Sequence, residues 1–198
     1  MSTLTFTTRT KRHVVKSFDV TNPLVPIFLN SFGVIETSGS DNSHLSFPWG
    51  VVRDSLGNAY ICDYDNHRVM KLTSSLVYDS SYDTEVTIGN PSTIFLDSIS
   101  GDLYVAGMSY YAVESDVLYA YIGIEQLTTS LISVKLKRDV VGLAYRANYN
   151  TIDDKPRFIC RGFDPDEIFV GGVRNVIYST TETGGSFSDI VVKQIKGF

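Results

Sequence analysis

The sequence predicts an all-β fold built from repeated small antiparallel sheets. Three observations lead there. Apolar and polar residues alternate at period two in many short runs. Those runs are bounded by Gly, Asn, Asp or Ser. And one stretch of the chain recurs further on in the same register.

The strands follow in order. Leu4-Thr5-Phe6-Thr7 alternates, and His13-Val14-Val15-Lys16-Ser17-Phe18 reads as a strand of an early, incomplete copy of the repeat. Val51-Val52-Arg53, a turn around Gly57-Asn58, and Ala59-Tyr60-Ile61-Cys62 form a hairpin pattern, continued by Val69-Met70-Lys71-Leu72. Glu85-Val86-Thr87-Ile88, Thr93-Ile94-Phe95-Leu96, Leu103-Tyr104-Val105-Ala106 and Val117-Leu118-Tyr119-Ala120-Tyr121 follow. Leu131 to Leu136, Val140 to Tyr145, Glu167 to Val170, Asn175 to Ser179 and Ile190 to Val192 complete the set. Residues 113–127 are the best helix candidate, but Gly123 interrupts them and they are rich in Tyr, Val and Ile, so at most one helical turn is expected.

The repeat is visible in two segments. Pro48-Trp49-Gly50-Val51-Val52-Arg53-Asp54 matches Pro91-Ser92-Thr93-Ile94-Phe95-Leu96-Asp97, and Gly57-Asn58-Ala59-Tyr60-Ile61-Cys62-Asp63 matches Gly101-Asp102-Leu103-Tyr104-Val105-Ala106-Gly107. A fainter copy is Asp166-Glu167-Ile168-Phe169-Val170-Gly171-Gly172, reached after an insertion that includes residues 148–156. A four-strand unit recurring every ~40–45 residues is the pattern of a β-propeller blade, which buries its two faces only against neighbouring blades. The 198 residues hold about four such blades of antiparallel four-stranded sheets, as a small closed ring or an open arc in one domain over residues 1–198.

Residues 28–73 resemble an NHL-repeat blade. The resemblance rests on Phe28-Leu29-Asn30-Ser31-Phe32-Gly33, then Phe47-Pro48-Trp49-Gly50-Val51-Val52-Arg53-Asp54, then Gly57 to Asp63, then Asn66-His67-Arg68-Val69-Met70-Lys71-Leu72. Residues 91–121 resemble it less closely, and the later copies lack the Asn-His-Arg element. Pro48, Gly50, Asp54, Gly57, Asn58, Asp63, Asn66, His67 and Arg68 match motif positions and read as scaffolding: Gly57-Asn58 for positive φ, Pro48 to open a strand, Asp63 and Arg68 to pair across a hairpin, Asn66 to close its turn. Residues 178–187 look like an Asp-box hairpin, with Glu or Thr in place of Asp and Phe in place of Trp.

Composition excludes several classes. With 43% hydrophobic and 20% charged residues the chain can build a core. A net charge of −5 gives no general pull toward nucleic acid or an anionic membrane. There is no run long enough to span a bilayer and no leader pattern, so a cytoplasmic or virion-associated location is expected. Cys62 and Cys160 sit in apolar runs and read as buried free thiols, with a single disulfide the alternative.

No catalytic constellation is legible. The resemblance implies relatives that bind metal through histidines, yet His13, His44 and His67 are irregularly spaced, so no metal and no cofactor is expected. Asp153-Asp154 and Asp164 to Glu167 read as solvated turns, and Asp63-Tyr64-Asp65-Asn66 lacks the remainder of a calcium loop. No phosphate loop or nucleophile elbow is present. The expectation is therefore a non-enzymatic interaction or scaffold propeller, binding a protein partner or copies of itself. The alternatives are a structural subunit of an assembly such as a virion or phage tail, and a propeller-type lyase or lactonase. The candidate contact residues are Tyr64, Asp65, Met108, Tyr110, Tyr111 and Arg174, on turns that the repeat alignment places on one face, with residues 107–115 read as a lengthened aromatic loop.

Overall fold

Successive side chains of a β-strand point to opposite faces, and in this protein both faces of the central strands are apolar. The computed structural model describes residues 3–7, 13–114, 117–146, 156–161, 167–180 and 183–196. They form strands β1 (Thr3–Thr7), β2 (Val15–Asp19), β3 (Ile27–Phe32), β4 (Pro48–Arg53), β5 (Ala59–Asp63), β6 (Arg68–Leu72), β7 (Tyr78–Asp83) and β8 (Asn90–Leu96). The chain continues through β9 (Leu103–Glu114), β10 (Val117–Leu127), β11 (Ser133–Arg146), β12 (Pro156–Arg161), β13 (Glu167–Thr180) and β14 (Thr183–Lys196). Residues 113–127, the helix candidate, are strand: Tyr, Val and Ile crowd a helix at χ1 but suit a pleated surface. The helical element among the described residues is a single 3-10 turn, Tyr64–Asn66.

Four antiparallel sheets result: β1-β2-β3, β4-β5-β6-β7, β8-β9-β10-β11 and β12-β13-β14. The second and third have the four strands expected of a blade, and the first and fourth show three among the described residues. The first strands of the sheets stand side by side, β1 against β4, β4 against β8 and β8 against β12. Gly50 permits the middle approach, since a Cβ there would lie 3.1 Å from the backbone of Thr93 and Ile94.

The core fills the spaces between sheets. Ala59 and Ile61 of β5 pack with Met70, Leu72, Leu45 and Val15 toward the first sheet. Tyr60 and Cys62, the alternate residues of β5, pack with Ile94, Leu103, Val105 and Leu127 of the third sheet. The same alternation repeats on β9: Leu103 and Val105 face the second sheet, while Tyr104 and Ala106 meet Ile159, Ile168 and Val170 of the fourth. The apolar residues recurring in each copy of the repeat are these two-sided contacts.

Alternation also corrects the reading of Cys160. Its neighbour Ile159 is buried against the third sheet, so Cys160 points to the other face of β12 and is exposed. Cys62 is buried as expected, burial pushes its thiol well up, and both cysteines are free. The insertion over residues 148–156 lies almost wholly outside the described residues.

A second register effect was not anticipated. Gly107 and Gly123 are partners across β9 and β10. A Cβ on Gly107 would come within 2.7 Å of the carbonyl oxygens of Ile88 and Asn90, and one on Gly123 within 2.6 Å of the Ile88 side chain. The paired glycines form a saddle over which the connection into β8 crosses.

Candidate functional site

The NHL-like hairpin is organised around a buried ion pair. Asp63, fully buried at the end of β5, stands opposite Arg68 at the start of β6, and Arg68 Nε donates to Asp63 Oδ2 at 2.7 Å. Asn66 Nδ2 donates to the same oxygen at 2.8 Å, and the Ser46 amide donates to Oδ1 at 2.6 Å. Burial pushes the Asp63 carboxyl above its ordinary value, and the donors from Asn66, Ser46 and Arg68 offset only part of that. The rest of the Arg68 guanidinium holds the preceding loop, donating to the carbonyls of Ser40, Asp41 and His44 at 2.8–3.0 Å. His67 takes the left-handed conformation (φ 49°) that ends the 3-10 turn. These bonds tie the hairpin to the loop that precedes it.

The three histidines occupy separate places. His13 Nδ1 accepts from the Phe47 amide, His44 Nδ1 lies 2.8 Å from Asp41, and His67 belongs to the turn. Among the described residues no three metal-ligating side chains gather. Asp153 and Asp154, and residues 164–166, lie outside the described residues.

Sequence reasoning missed Glu125. It is fully buried on β10, and its Oε1 accepts from the Tyr82 hydroxyl at 2.6 Å and the Ser133 hydroxyl at 2.7 Å, tying β7 of the second sheet to the third. Burial, and then this carboxylate, push the Tyr82 phenol up. A charged residue inside the apolar run 122–127 was the available signal.

At the end of the sheets opposite the Tyr64–Asn66 turn, the β4–β5 and β8–β9 turns place Asp54 and Asp97 at matching positions. Asp54 Oδ1 accepts from the amides of Leu56 and Asn58 at 2.9 Å, and its Oδ2 from Asn58 Nδ2 at 2.9 Å and the Tyr60 hydroxyl at 3.0 Å. Asp97 caps its turn by accepting from the amides of Ile99 and Ser100 and the Ser100 hydroxyl, and it pairs with Arg161 of β12. Burial works to raise both carboxyls, but these bonds outweigh it and hold both below their ordinary value near 3.8. Gly57 supplies the expected positive φ (86°), and Asn58 acts through its side chain instead. A cleft of about 410 Å³ opens between the two turns, closed on a third side by Thr129 of the β10–β11 turn.

Acid unfolding is expected to report these carboxylates. Their folded-state values are lowered, so their contribution is complete above about pH 4 and is lost as pH falls through those values. Urea titrations between about pH 5 and about pH 2 should show stability falling with acid, and Asp54→Asn should flatten the slope. A slope unchanged in Asp54→Asn would show that the turn bonds do not hold that carboxylate ionised.

The expected contact residues are brought together only in part. Tyr64 is nearly buried, stacked on Trp49 at 5.0 Å, while Asp65 beside it is exposed. Met108 is buried, 1% exposed, in the interior of β9. Residues 107–114 continue that strand and are not a loop, and Arg174 lies within β13, opposite Asp189. The side chains of Tyr110, Tyr111 and Arg174 lie outside the described part. The backbone shows why alignment misread them. Inner strand β8 begins opposite Met108, yet β9 runs on to Glu114, which pairs with Val117. Among the described residues β12 pairs with β13 from Pro156, opposite Gly172, and β13 pairs with β14 as far as Thr180 and Thr183. The β9–β10 hairpin thus extends past its inner strand at the end that carries Tyr64–Asn66, and β13–β14 includes most of the Asp-box-like stretch.

Residues 45–72 match the family model of the NHL repeat. No curated protein matches the chain in sequence. Among solved structures the chain is similar to a streptogramin B lyase, with 12% identity and a TM-score of 0.40, over 89% of this chain and 62% of that one. It is similar also to the virginiamycin B lyase of Staphylococcus aureus, with 13% identity and a TM-score of 0.39, over 89% and 63%. The chain therefore spans just under two thirds of the length of these structures. The expectation that the chain is no enzyme is corrected, because the solved structures it is similar to are lyases. That expectation rested on linear motifs, which do not register groups converging from separate blades. Among the described residues, no helix is long and apolar enough to cross a membrane. The chain is an all-β, propeller-type protein that carries an NHL repeat at residues 45–72.

Proposed function

We propose that the chain is an interaction module that engages a protein partner through the end of the sheets bearing the Tyr64–Asn66 turn and the extended β9–β10 hairpin. The observation that carries the reading is the continuation of β9–β10 beyond inner strand β8. A strand that runs past its inner neighbour costs chain entropy to order. Contact with another molecule offsets that cost. The sequence of that hairpin supports it, since Tyr110, Tyr111, Tyr119 and Tyr121 are of a residue type enriched at interfaces. NHL repeats commonly mediate protein interaction. Asp65, exposed at the same end, and Arg174 on β13 supply opposite charges for specificity.

The test is quantitative cross-linking in the native host with the full chain and a variant carrying Tyr110→Ser, Tyr111→Ser and Arg174→Ser. If the reading is right, the variant keeps its unfolding midpoint and loses about tenfold or more of its cross-linked protein. The same adducts in the same yield would refute it.

A further inference from the structure

We infer that the outward face of the first sheet is where a second copy of this chain stacks, laying its fourth sheet on that face. The inference goes beyond the preceding reading, which concerns one end of the sheets and a different protein.

The face is aromatic where water favours polar side chains. Leu4, Phe18 and Phe28 are register partners across β1, β2 and β3, and Phe6 stands in the next row, paired with Lys16. The Phe18 ring stacks on Phe6 at 5.4 Å and meets Phe28 edge-on at 5.6 Å. Leu4 and Phe28 are nevertheless 53% exposed, and Phe6 38%. Val15 and Ser17, the alternate residues of β2, are buried on the side of the second sheet. A sheet with one face in water normally alternates apolar inward and polar outward, and here the outward row is the aromatic one.

The junctions within the chain determine what fits such a face. The second, third and fourth sheets each bury the corresponding face against the sheet before: Ala59 and Ile61 toward the first, Leu103 and Val105 toward the second, Ile159 and Val170 toward the third. Each junction thus joins the forward face of one sheet to the backward face of the next, with first strands side by side. The aromatic face is the backward face of the first sheet, the next member of that series. Its complement is the forward face of the fourth sheet, where Cys160 stands exposed opposite the half-buried Phe169. Setting two first sheets against each other would join two backward faces, a pairing that none of the three junctions uses. Two copies joined at both ends make a ring of eight sheets, a size that propellers adopt, so the expected assembly is a dimer.

The experiment has two parts. Light scattering on the full chain from about 1 to about 100 μM should show a concentration-dependent species of twice the mass of the chain. Phe6→Glu together with Phe28→Glu, at exposed positions, should keep the parent's circular dichroism and raise the dissociation constant about tenfold or more. The second part leaves the aromatic row intact. Lys16→Cys adds a thiol beside Phe6, and since Cys62 is buried, Cys160 is the native thiol within reach of a reagent. A bismaleimide of about 10 Å, the spacing of stacked sheets, should link position 16 of one copy to Cys160 of another. Mixing isotope-labelled and unlabelled chains separates links between copies from links within one.

A monomer throughout the concentration range would overturn the inference. So would a link from position 16 to Cys160 within a single chain, which would mean that the fourth sheet covers the face itself, or links between two copies of position 16 alone. The variant carrying Tyr110→Ser, Tyr111→Ser and Arg174→Ser should dimerise like the parent, so failure of the hairpin reading and failure of this one are seen separately.

Discussion

Replacing Arg68 by alanine is expected to lower stability by about 3–5 kcal/mol. The magnitude follows from what is left behind. Asp63 is fully buried, and without the guanidinium it keeps only the Asn66 and Ser46 donors. The carbonyls of Ser40, Asp41 and His44 lose their shared donor as well, so the loop that closes over Leu45 is released. Arg68→Lys keeps the charge but cannot reproduce a planar fork that reaches one carboxylate and three carbonyls, so it should recover less than half of the loss. Urea unfolding at neutral pH measures both. A loss under about 1 kcal/mol for Arg68→Ala would mean that the carboxylate finds water or a new donor and that the pair is dispensable.

Gly107→Ala should cost about 1–3 kcal/mol, at a position where the added group is a single methyl. Its Cβ meets two backbone oxygens at 2.7 Å, one from Asn90 at the start of β8 and one from Ile88 in the turn before it, and main chain has no rotamer by which to move aside. Gly123→Ala, its register partner, meets first the side chain of Ile88. Part of that clash can be relieved by a rotamer change, so its cost should be the smaller of the two. Equal stability of Gly107→Ala and the parent in the same urea experiment would show that the connection into β8 does not ride over the glycine.

Much of the fold was legible, for a definite reason. A blade buries both faces, so the repeat prints apolar residues at alternating positions in each copy, and β5 and β9 show the two sides of that pattern directly. Turn chemistry was legible too. Pro48 opens β4, Gly57 takes a positive φ, and Asp63 pairs with Arg68. The length of β9 and β13 was not. Alignment assumes that strands in each copy end where they ended in the first, and residues 107–114 continue in β-conformation past the end of their inner partner. Cys160 was misplaced because an apolar run does not say which of two neighbours faces the core. Glu125 was missed because its hydroxyl partners, Tyr82 and Ser133, come from different strands. The cleft was missed for a related reason. Asp54 and Asp97 were matched as repeat positions, but that two capped turns would stand on either side of a gap is a property of stacking, which no single copy contains.

The sheet order carries a kinetic consequence. Within the described residues, each strand hydrogen-bonds to its neighbour in the chain, and each inner strand packs on the one from the next sheet. Contacts therefore lie within a sheet or between consecutive sheets, and the energy is close to a sum over sheets and the junctions between them. Such a chain opens in steps. The second and third sheets are each flanked by a neighbour on both sides, so their amides should exchange slowest, and protection should fall toward the first and fourth sheets. A partner that covers an end would then raise the protection of the end sheets far more than that of the middle.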